Sequence, residues 1–567
     1  MSMTEPTINK LTVYKLNNVA LNSVTIPSYR LVAEDTWNAN DKTYPYRLFF
    51  HKRGPFPAPW LSVFLSLPLN IAAKDLPQGI VSGFILLIHV ENSVYALTGG
   101  VGHIHLRKHL SIEHRFGIEL AQRILAIPEL RGLSQRDTSG VVNALDRVFR
   151  GPYNPHGDIN NLKRVLTHVR GTLKKQNPRQ ATIGRSISAS DALTVNGRKQ
   201  FSDIVTFLVE VERLMKHETP RISIPQLEHI NKKHHNALLS ELESAMVEKL
   251  RHYNADETHT LFLDNEDIGY LPDRVVLFEL IYKRRKIEAV TFVEVFEYVR
   301  SLLSDIPSKT DRQDAFRRMN LRLHFDDGVM ETRRLAYFLC GDLEFHDDVY
   351  FLNNELWYRA SDEFIKLMER ELDNIECLDP SVLGLEEWDK NKYQSERDFN
   401  AAHKNLVVMD RRLVKIADEK GGIEFCDLLR STSDTVELIH VKHDTGAALR
   451  ALFAQGFVSA KLYAESNEFR TKIYSGDVTQ NSRAFQRKDL TVLKSLNKRH
   501  RREIRVVFAI FDDAMSHSVA PATTATSKIL KGTLSTFAKV DLLDRVTNMR
   551  TMGYGVALSR IKPYPKK

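Results

Sequence analysis

Cysteine is scarce in this chain: three in 567 residues, Cys340, Cys377 and Cys426. They stand too far apart for a CxxC pair or a zinc cluster and are too few for a disulfide framework, so a reducing cytoplasm is the expected setting. Long apolar runs are missing as well. The most apolar stretches, 60–73 and 80–90, are broken by Pro68 and His89 and are shorter than the ~20 residues that cross a bilayer, so no membrane partner is expected. The opening Met1-Ser2-Met3-Thr4-Glu5-Pro6 carries neither the basic nor the apolar region of a signal peptide. There is no GxSxG elbow, no Cys/His protease pattern and no fixed-period repeat, which sets aside those hydrolase classes and a solenoid. Gly99-Gly100-Val101-Gly102 lacks the Lys-Ser/Thr that completes a P-loop and reads as a turn.

What is present is an ordinary globular composition, 43% hydrophobic and 27% charged. The length suits three or four domains. Lys and Arg total 80 against 71 Asp and Glu, a formal charge of +9. That excess is localised. Residues 401–567 hold 29 basic against 17 acidic residues, a net +12, whereas residues 1–400 hold 51 against 54, a net −3. A localised positive field is the usual footprint of a partner that carries phosphates, because binding releases condensed counterions. The densest run supplies Lys494, Lys498, Arg499, Arg501, Arg502 and Arg505, the expected nucleic-acid contacts, just before the apolar strand 506–511. A second cluster, Lys283-Arg284-Arg285-Lys286, reads as the solvated face of a helix.

Periodicity divides the chain into three. Residues 1–125 are mostly β, with strands expected at 12–16, 47–51, 61–67 and 83–99, the last folded into a hairpin at Glu91-Asn92. Residues 126–390 are expected to be largely helical, with three- and four-residue apolar spacing at 201–217, 225–253, 293–303 and 361–375; 174–199 reads as a flexible connection. Residues 391–567 mix helices with short apolar strands at 423–429, 436–442, 506–511 and 554–561, the pattern of an α/β sheet covered by helices. His103, His105, His109 and His114 follow the glycine turn, the first two on one strand face, and without a nearby cysteine they read as structural. Asp264, Glu266, Asp267, Asp326 and Asp327 read as solvated turns, and His234-His235 as a solvated helix face.

The stretch that carries chemistry runs from Gly421 to Lys442. Alternation in a strand puts His440 and Lys442 on one face, and a hairpin brings Asp427 towards them. Asp427 on one strand and His440-Val441-Lys442 on the next resemble the PD-(D/E)xK motif of the metal-dependent nuclease fold found in many restriction enzymes. The resemblance implies Asp427 and His440 as ligands of Mg²⁺ or Mn²⁺ and Lys442 beside the attacking water. It also implies Glu396, on a preceding helix, and Gln455, on the following helix that opens at 444–446, as supporting catalytic residues. His440 departs from the motif, which has an acidic residue there; imidazole suits transition metals better than Mg²⁺.

The chain as a whole resembles a family of sporadically distributed bacterial proteins, without assigned activity, met near restriction and phage-defence genes. Ala96 to Gly102 with Phe116 to Leu120, Leu356-Trp357-Tyr358, Ile423 to Leu429, Leu438 to Gly456, and Phe537-Ala538-Lys539 with Gly553 to Val556 carry that resemblance. The expected molecule is an α+β multidomain protein: a mostly β N-terminal domain, a helical middle and a C-terminal restriction-endonuclease-like α/β domain. It would be a cytoplasmic nuclease that hydrolyses DNA in restriction or anti-phage defence, its first two domains sensing substrate or trigger; whether it forms a homo-oligomer is left open. The alternatives are a non-catalytic nucleic-acid-binding or regulatory protein with a degenerate nuclease-like domain, and a toxin-like ribonuclease.

Overall fold

Alternation of apolar and polar residues along antiparallel strands builds the first part of the molecule. The computed structural model describes residues 8–562 apart from 18, 40–41, 52–55, 58–77, 80–82, 138–143, 150, 152–161, 163, 175–179, 200, 223, 225–226, 231, 255–260, 264–274, 326–327, 329, 417–421, 444–446, 480–484, 512–525 and 531–533. The candidate strand at 61–67, the acidic turns at 264–267 and 326–327 and the helix opening at 444–446 lie outside the described residues. The chain divides into two compact units, residues 1–158 with 164–224, and 159–163 with 225–567. It is mixed α/β with large sheets. Among the described residues no helix is long and apolar enough to cross a membrane.

In the first unit the strands β1 (Ile8–Leu16), β2 (Tyr29–Ala39), β3 (Lys42–His51), β4 (Gly83–Val90) and β5 (Ser93–Gly100) precede two helices, α1 (Gly102–His109) and α2 (Phe116–Ile124). Strands β6 (Leu130–Asp137), β7 (Ala144–Val148), β8 (Arg164–Thr172), β9 (Ser186–Ala189) and β10 (Leu193–Lys199) follow, then α3 (Phe201–His217). The sheet order is β8-β9-β10-β1-β5-β4-β3-β2, with β6 on β8 and β7 on β6. Leu11, Val13, Leu97, Ile187, Leu193 and Val195 share one core with Phe116 of α2 and Phe207 of α3. The β4–β5 hairpin turns at Glu91-Asn92 as expected, with Val90 opposite Ser93 and Glu91 at φ 53°.

Two expectations here are corrected. Residues 186–199 form paired strands, not a flexible connection: their Ser- and Asn-rich composition conceals the alternating Ile187, Ala189, Leu193 and Val195, all buried. His103 and His105 lie on α1, not on a strand. Gly99 and Gly102 are required by packing, since a Cβ at either would stand 2.3 and 2.2 Å from the Phe84 ring and the Phe84 carbonyl.

The second unit carries three larger sheets. One contains β11 (Leu227–Ile230), β12 (Leu261–Leu263), β17 (Leu339–Phe345), β18 (Asp348–Asn353) and β19 (Leu356–Ala360). The next is β13 (Val275–Tyr282), β14 (Arg285–Ala289), β15 (Asn320–Phe325) and β16 (Met330–Arg334). Helices α4 (Lys232–Arg251), α5 (Phe292–Ser304) and α6 (Lys309–Arg318) pack with them, and α7 (Asp362–Asp373) packs on the helix at Thr536–Thr551. Residues 126–390, expected to be largely helical, therefore alternate helices with strands. The reason lies in the turns: Lys283-Arg284, His346-Asp347 and Asn354-Glu355 take positive φ without glycine, so the hairpin signal is absent from the sequence. Lys283 to Lys286 accordingly cap a hairpin instead of lining a helix.

The third sheet holds the candidate site. It comprises β20 (Glu376–Leu378), β21 (Val407–Val408), β23 (Leu428–Ser431), β24 (Val436–His443), β25 (Ile504–Phe511) and β26 (Gly555–Arg560), in the order β20-β26-β25-β24-β23-β21. The first four of that order are parallel and β23 and β21 antiparallel. A separate two-residue strand β22 (Ile423–Glu424) pairs with residues 413–414. Helix α8 (Glu396–Ala402) precedes these strands. Between β24 and β25 come α9 (Ala447–Glu465), α10 (Asn467–Ser475) and α11 (Arg487–Ser495), and α12 (Thr536–Thr551) leads into β26. Ile439, Val441, Val507, Ala509 and Phe511 form one buried face with Trp388 and Phe399. Such continuous apolar runs are what a sheet covered on both sides requires.

Candidate functional site

The site forms where β24 ends and regular pairing to β23 gives way. The ladder pairs Leu428 with Ile439, so Asp427 stands one residue beyond it. Its backbone is fixed from both sides. The Asp427 amide donates to the Ile439 carbonyl at 3.0 Å, and its own carbonyl accepts from the amides of Met409 and Asp410 at 2.8 and 3.0 Å. The carboxylate accepts from the Val441 amide at 2.7 Å.

This clamp draws in two further acids. Oxygens of Asp410, Glu424 and Asp427 lie within 4.8 Å of one another. Asp410 enters on the turn after Met409, and Glu424 from β22, where its carboxylate accepts from the amide of Arg411, a residue at φ 56°. Burial, then the neighbouring charges of Glu424, Asp410 and Glu396, push the Asp427 carboxyl well above the usual carboxylate range, against the opposing Val441 hydrogen bond.

Lys442 and Glu396 complete the rim. Ser395 caps α8 by accepting from the Asp398 amide, which makes Glu396 the first residue of the helix. Glu396 Oε1 accepts from the His443 amide at 3.0 Å, and Oε2 from Lys442 Nζ at 3.3 Å. Gln455, from α9, donates through Nε2 to Glu424 Oε2 at 2.8 Å. Four of the five residues expected from sequence, Asp427, Lys442, Glu396 and Gln455, thus converge.

His440 does not join them. It shares a strand face with Lys442 as alternation requires, but two residues deeper, where the sheet is covered by α9. The ring is fully buried beside Phe508, and neither ring nitrogen has a hydrogen-bond partner. Helix α9 approaches so closely that a Cβ on Gly456 would stand 2.5 Å from the Phe508 ring and 3.4 Å from His440. Burial lowers the imidazole to about 3, so it is neutral at any ordinary pH. The groups that lie beside the Asp427 carboxylate are thus Asp410 and Glu424, and the His440 ring is not among them.

Sequence reasoning missed Asp410 and Glu424 because neither lies in a regular strand of the main sheet. Their one signal is proximity: Glu424 is three residues before Asp427. The donors that meet here are all oxygen, the set that hard divalent cations such as Mg²⁺ take, and a carboxyl raised by like-charged neighbours is one that a cation relieves. The residues present therefore fit a divalent metal ion.

The basic run lies elsewhere on the sheet. Strands β24 and β25 are parallel, with Glu437 level with Arg505 and Lys442 level with Ile510. Arg505 is thus five residues, about 16 Å of strand, from the level of Lys442. Arg499 donates to the carbonyls of Ser433 and Thr432 at 2.8 and 2.6 Å, Arg501 to that of Ala464 at 2.8 Å, and Arg505 pairs with Glu376 at 3.3 Å. Lys494, Lys498 and Arg502 are exposed.

No curated protein sequence and no solved structure matches this chain. One family does, from residue 11 to residue 562: the chain belongs to the family of unknown function DUF6119.

Proposed function

We propose that the C-terminal part of the second unit is a metal-dependent nuclease that hydrolyses phosphodiester bonds of DNA, in restriction or anti-phage defence. The observation that carries this reading is the cluster of Asp410, Glu424 and Asp427 beside the Lys442–Glu396 pair. Along the chain, Glu396 on α8, Asp427 beside β23, Lys442 on β24 and Gln455 on α9 come in the order that the nuclease resemblance implies.

Asp410, Glu424 and Asp427 would hold Mg²⁺ or Mn²⁺. A bound divalent cation supplies a nucleophile near neutral pH and offsets charge on the phosphate. Asp427 anchors the site because its backbone and carboxylate are tied to both β24 and the 409–410 turn. Gln455 orients Glu424. Glu396 holds the Lys442 ammonium at the strand end, where a cationic group faces incoming phosphate and its attacking water. With His440 withdrawn into the core, the second acid of the motif is supplied from outside the HxK strand.

The test is incubation of the full-length protein with plasmid, linear, modified and phage DNA, and with RNA, in Mg²⁺ or Mn²⁺. DNA cleavage is expected, abolished by EDTA and by Asp427→Ala or Lys442→Ala. Absence of cleavage on every substrate, or full activity of the Lys442→Ala protein, would overturn the site. Salt-dependent DNA binding without cleavage, unaltered by Asp427→Ala, would favour the non-catalytic alternative. Cleavage of RNA alone would favour the ribonuclease.

A further inference from the structure

A second polar site lies in the first unit, on the face of the sheet opposite the core that Leu11 and Val13 enter. Alternation assigns it. Thr12 is opposite Thr98 of β5 on one side and Thr194 of β10 on the other, and Thr194 is opposite Ser188 of β9. Four adjacent strands therefore present hydroxyls in a row at one level of the sheet. Thr12 and Thr194 hydrogen bond to each other at 3.0 Å, and Ser188 pairs with His168 Nε2 of β8 at 2.7 Å.

These hydroxyls line a cavity of about 480 Å³. Cationic and imidazole groups, with Tyr14 and Ser190, form the rest of its polar wall. Lys10 comes from the same face of β1, two residues before Thr12. His103 and Arg107 come from α1, four residues apart and so on one side of that helix. His103 Nδ1 is anchored to the Gly100 carbonyl at 3.0 Å, and the Arg107 guanidinium lies 5.6 Å from the centre of the Tyr14 ring. No carboxylate lines the cavity among the described residues. The nearby acid, Asp191, is engaged by His114 at 2.8 Å and by the Arg115 amide at 3.2 Å.

We propose that this cavity binds a small phosphorylated ligand of nucleotide size. Two cations, a row of hydroxyls and no lining carboxylate among the described residues suit a dianionic phosphate, which needs several donors and tolerates no competing anion. The volume falls in the range of pockets that enclose one small molecule. The site is separate from the carboxylate cluster and does not depend on nuclease activity.

Calorimetric titration of the full-length protein with pyrophosphate, AMP and ATP tests it, with adenosine as the uncharged control. One phosphorylated ligand per chain is expected to bind, and adenosine not to bind. Lys10→Gln and Arg107→Gln should each weaken the binding about tenfold, the size of one charge-assisted contact. Lys108→Gln, an exposed charge on α1 outside the cavity, should leave it within about twofold. Circular dichroism establishes that the variants fold, and Thr98→Val, which removes a floor hydroxyl without altering charge, gives an independent reading of several-fold weaker binding. Failure of all three phosphorylated probes, equal binding of adenosine, or equal weakening by Lys108→Gln would overturn the proposal. So would binding of a single-stranded oligonucleotide without binding of AMP or ATP.

Discussion

The carboxylate cluster at the end of β24 and the hydroxyl-lined cavity on β1 are polar sites of opposite sign and opposite construction. The cavity is made by regular register: every second residue of adjacent strands faces it, and the residues between them are core. The cluster is made where register fails, from a residue just beyond a ladder, a turn residue at Asp410 and a two-residue strand at Glu424. Register holds a site with many small donors and tolerates the loss of one. Irregular backbone can gather like charges, but only while its few hydrogen bonds hold. The cluster should therefore collapse functionally on a single change, whereas the cavity should weaken in steps.

Removal of Asp427 is the largest expected effect. Asp427→Ala deletes a member of the cluster and the acceptor of the Val441 amide together, and a fall in cleavage of about 100-fold or more is expected, at least ~2.7 kcal/mol of transition-state stabilisation. Gln455→Ala touches only the orientation of Glu424 and should cost about tenfold. Initial rates on plasmid DNA measure both. Equal losses in the two variants would mean that the acids do not act through a hierarchy anchored at Asp427.

The two buried ionisable groups of β24 and its neighbour titrate in opposite senses, and thermal stability against pH separates them. Asp427 has a raised folded pKa, so its contribution is present at low pH and is lost as pH rises through that value. His440, at about 3 in the fold and near 6.5 unfolded, contributes fully above pH 6.5 and loses its contribution as pH falls towards 3. In that window each pH unit costs up to about 1.4 kcal/mol. Asp427→Asn should therefore melt higher than the parent at pH 8, with the gain shrinking towards pH 5. His440→Leu should flatten the acid limb between pH 6.5 and 4. An unchanged acid limb in His440→Leu would remove the buried neutral imidazole from the account.

The same contrast explains what the sequence could reveal. Regular elements were legible: the apolar runs at 436–442, 506–511 and 554–561 are strands because only a sheet covered on both faces tolerates them. Asp427, Lys442, Glu396 and Gln455 were legible as a set because they sit on or beside those elements. Asp410 and Glu424 were not, since their place depends on hydrogen bonds from Arg411 and to Asp427 that no periodicity encodes. His440 misled for a different reason. Alternation reports which face a side chain takes and says nothing of how far along the strand the covering helix reaches; Gly456 lets α9 close over His440. Strands β17 to β19 were hidden by turns such as His346-Asp347 that adopt positive φ without glycine.

A smaller effect concerns the metal. If the cluster takes Mg²⁺, the folded protein gains about 1.4 kcal/mol when the ion is present at ten times its dissociation constant, and the unfolded chain gains nothing. Melting of the parent should rise on adding Mg²⁺ or Mn²⁺, and that of Asp427→Asn should rise less. An equal rise in both would place the ion elsewhere.

The smallest predicted effect divides the basic run, which charge alone presents as uniform. Arg499 ties the β23–β24 turn to the segment entering β25 through two carbonyls, so Arg499→Gln should cost about 1 kcal/mol of stability, the net worth of such bonds at a half-exposed site. Lys498 is exposed and no bond of that kind ties it down, so Lys498→Gln should leave stability unchanged within about 0.5 kcal/mol. Arg505, which closes the run, stands about 16 Å along the strand from the level of Lys442, so on the proposed reading the run would meet nucleic acid away from the bond being cut. Neutralising Lys494, Lys498 and Arg502 together should lower the salt dependence of DNA binding by about three counterions at most, with the cleavage rate at saturating DNA unaltered. A fall in that saturated rate would mean that the run reaches the carboxylates, and the separation of charge from chemistry on this sheet would be lost.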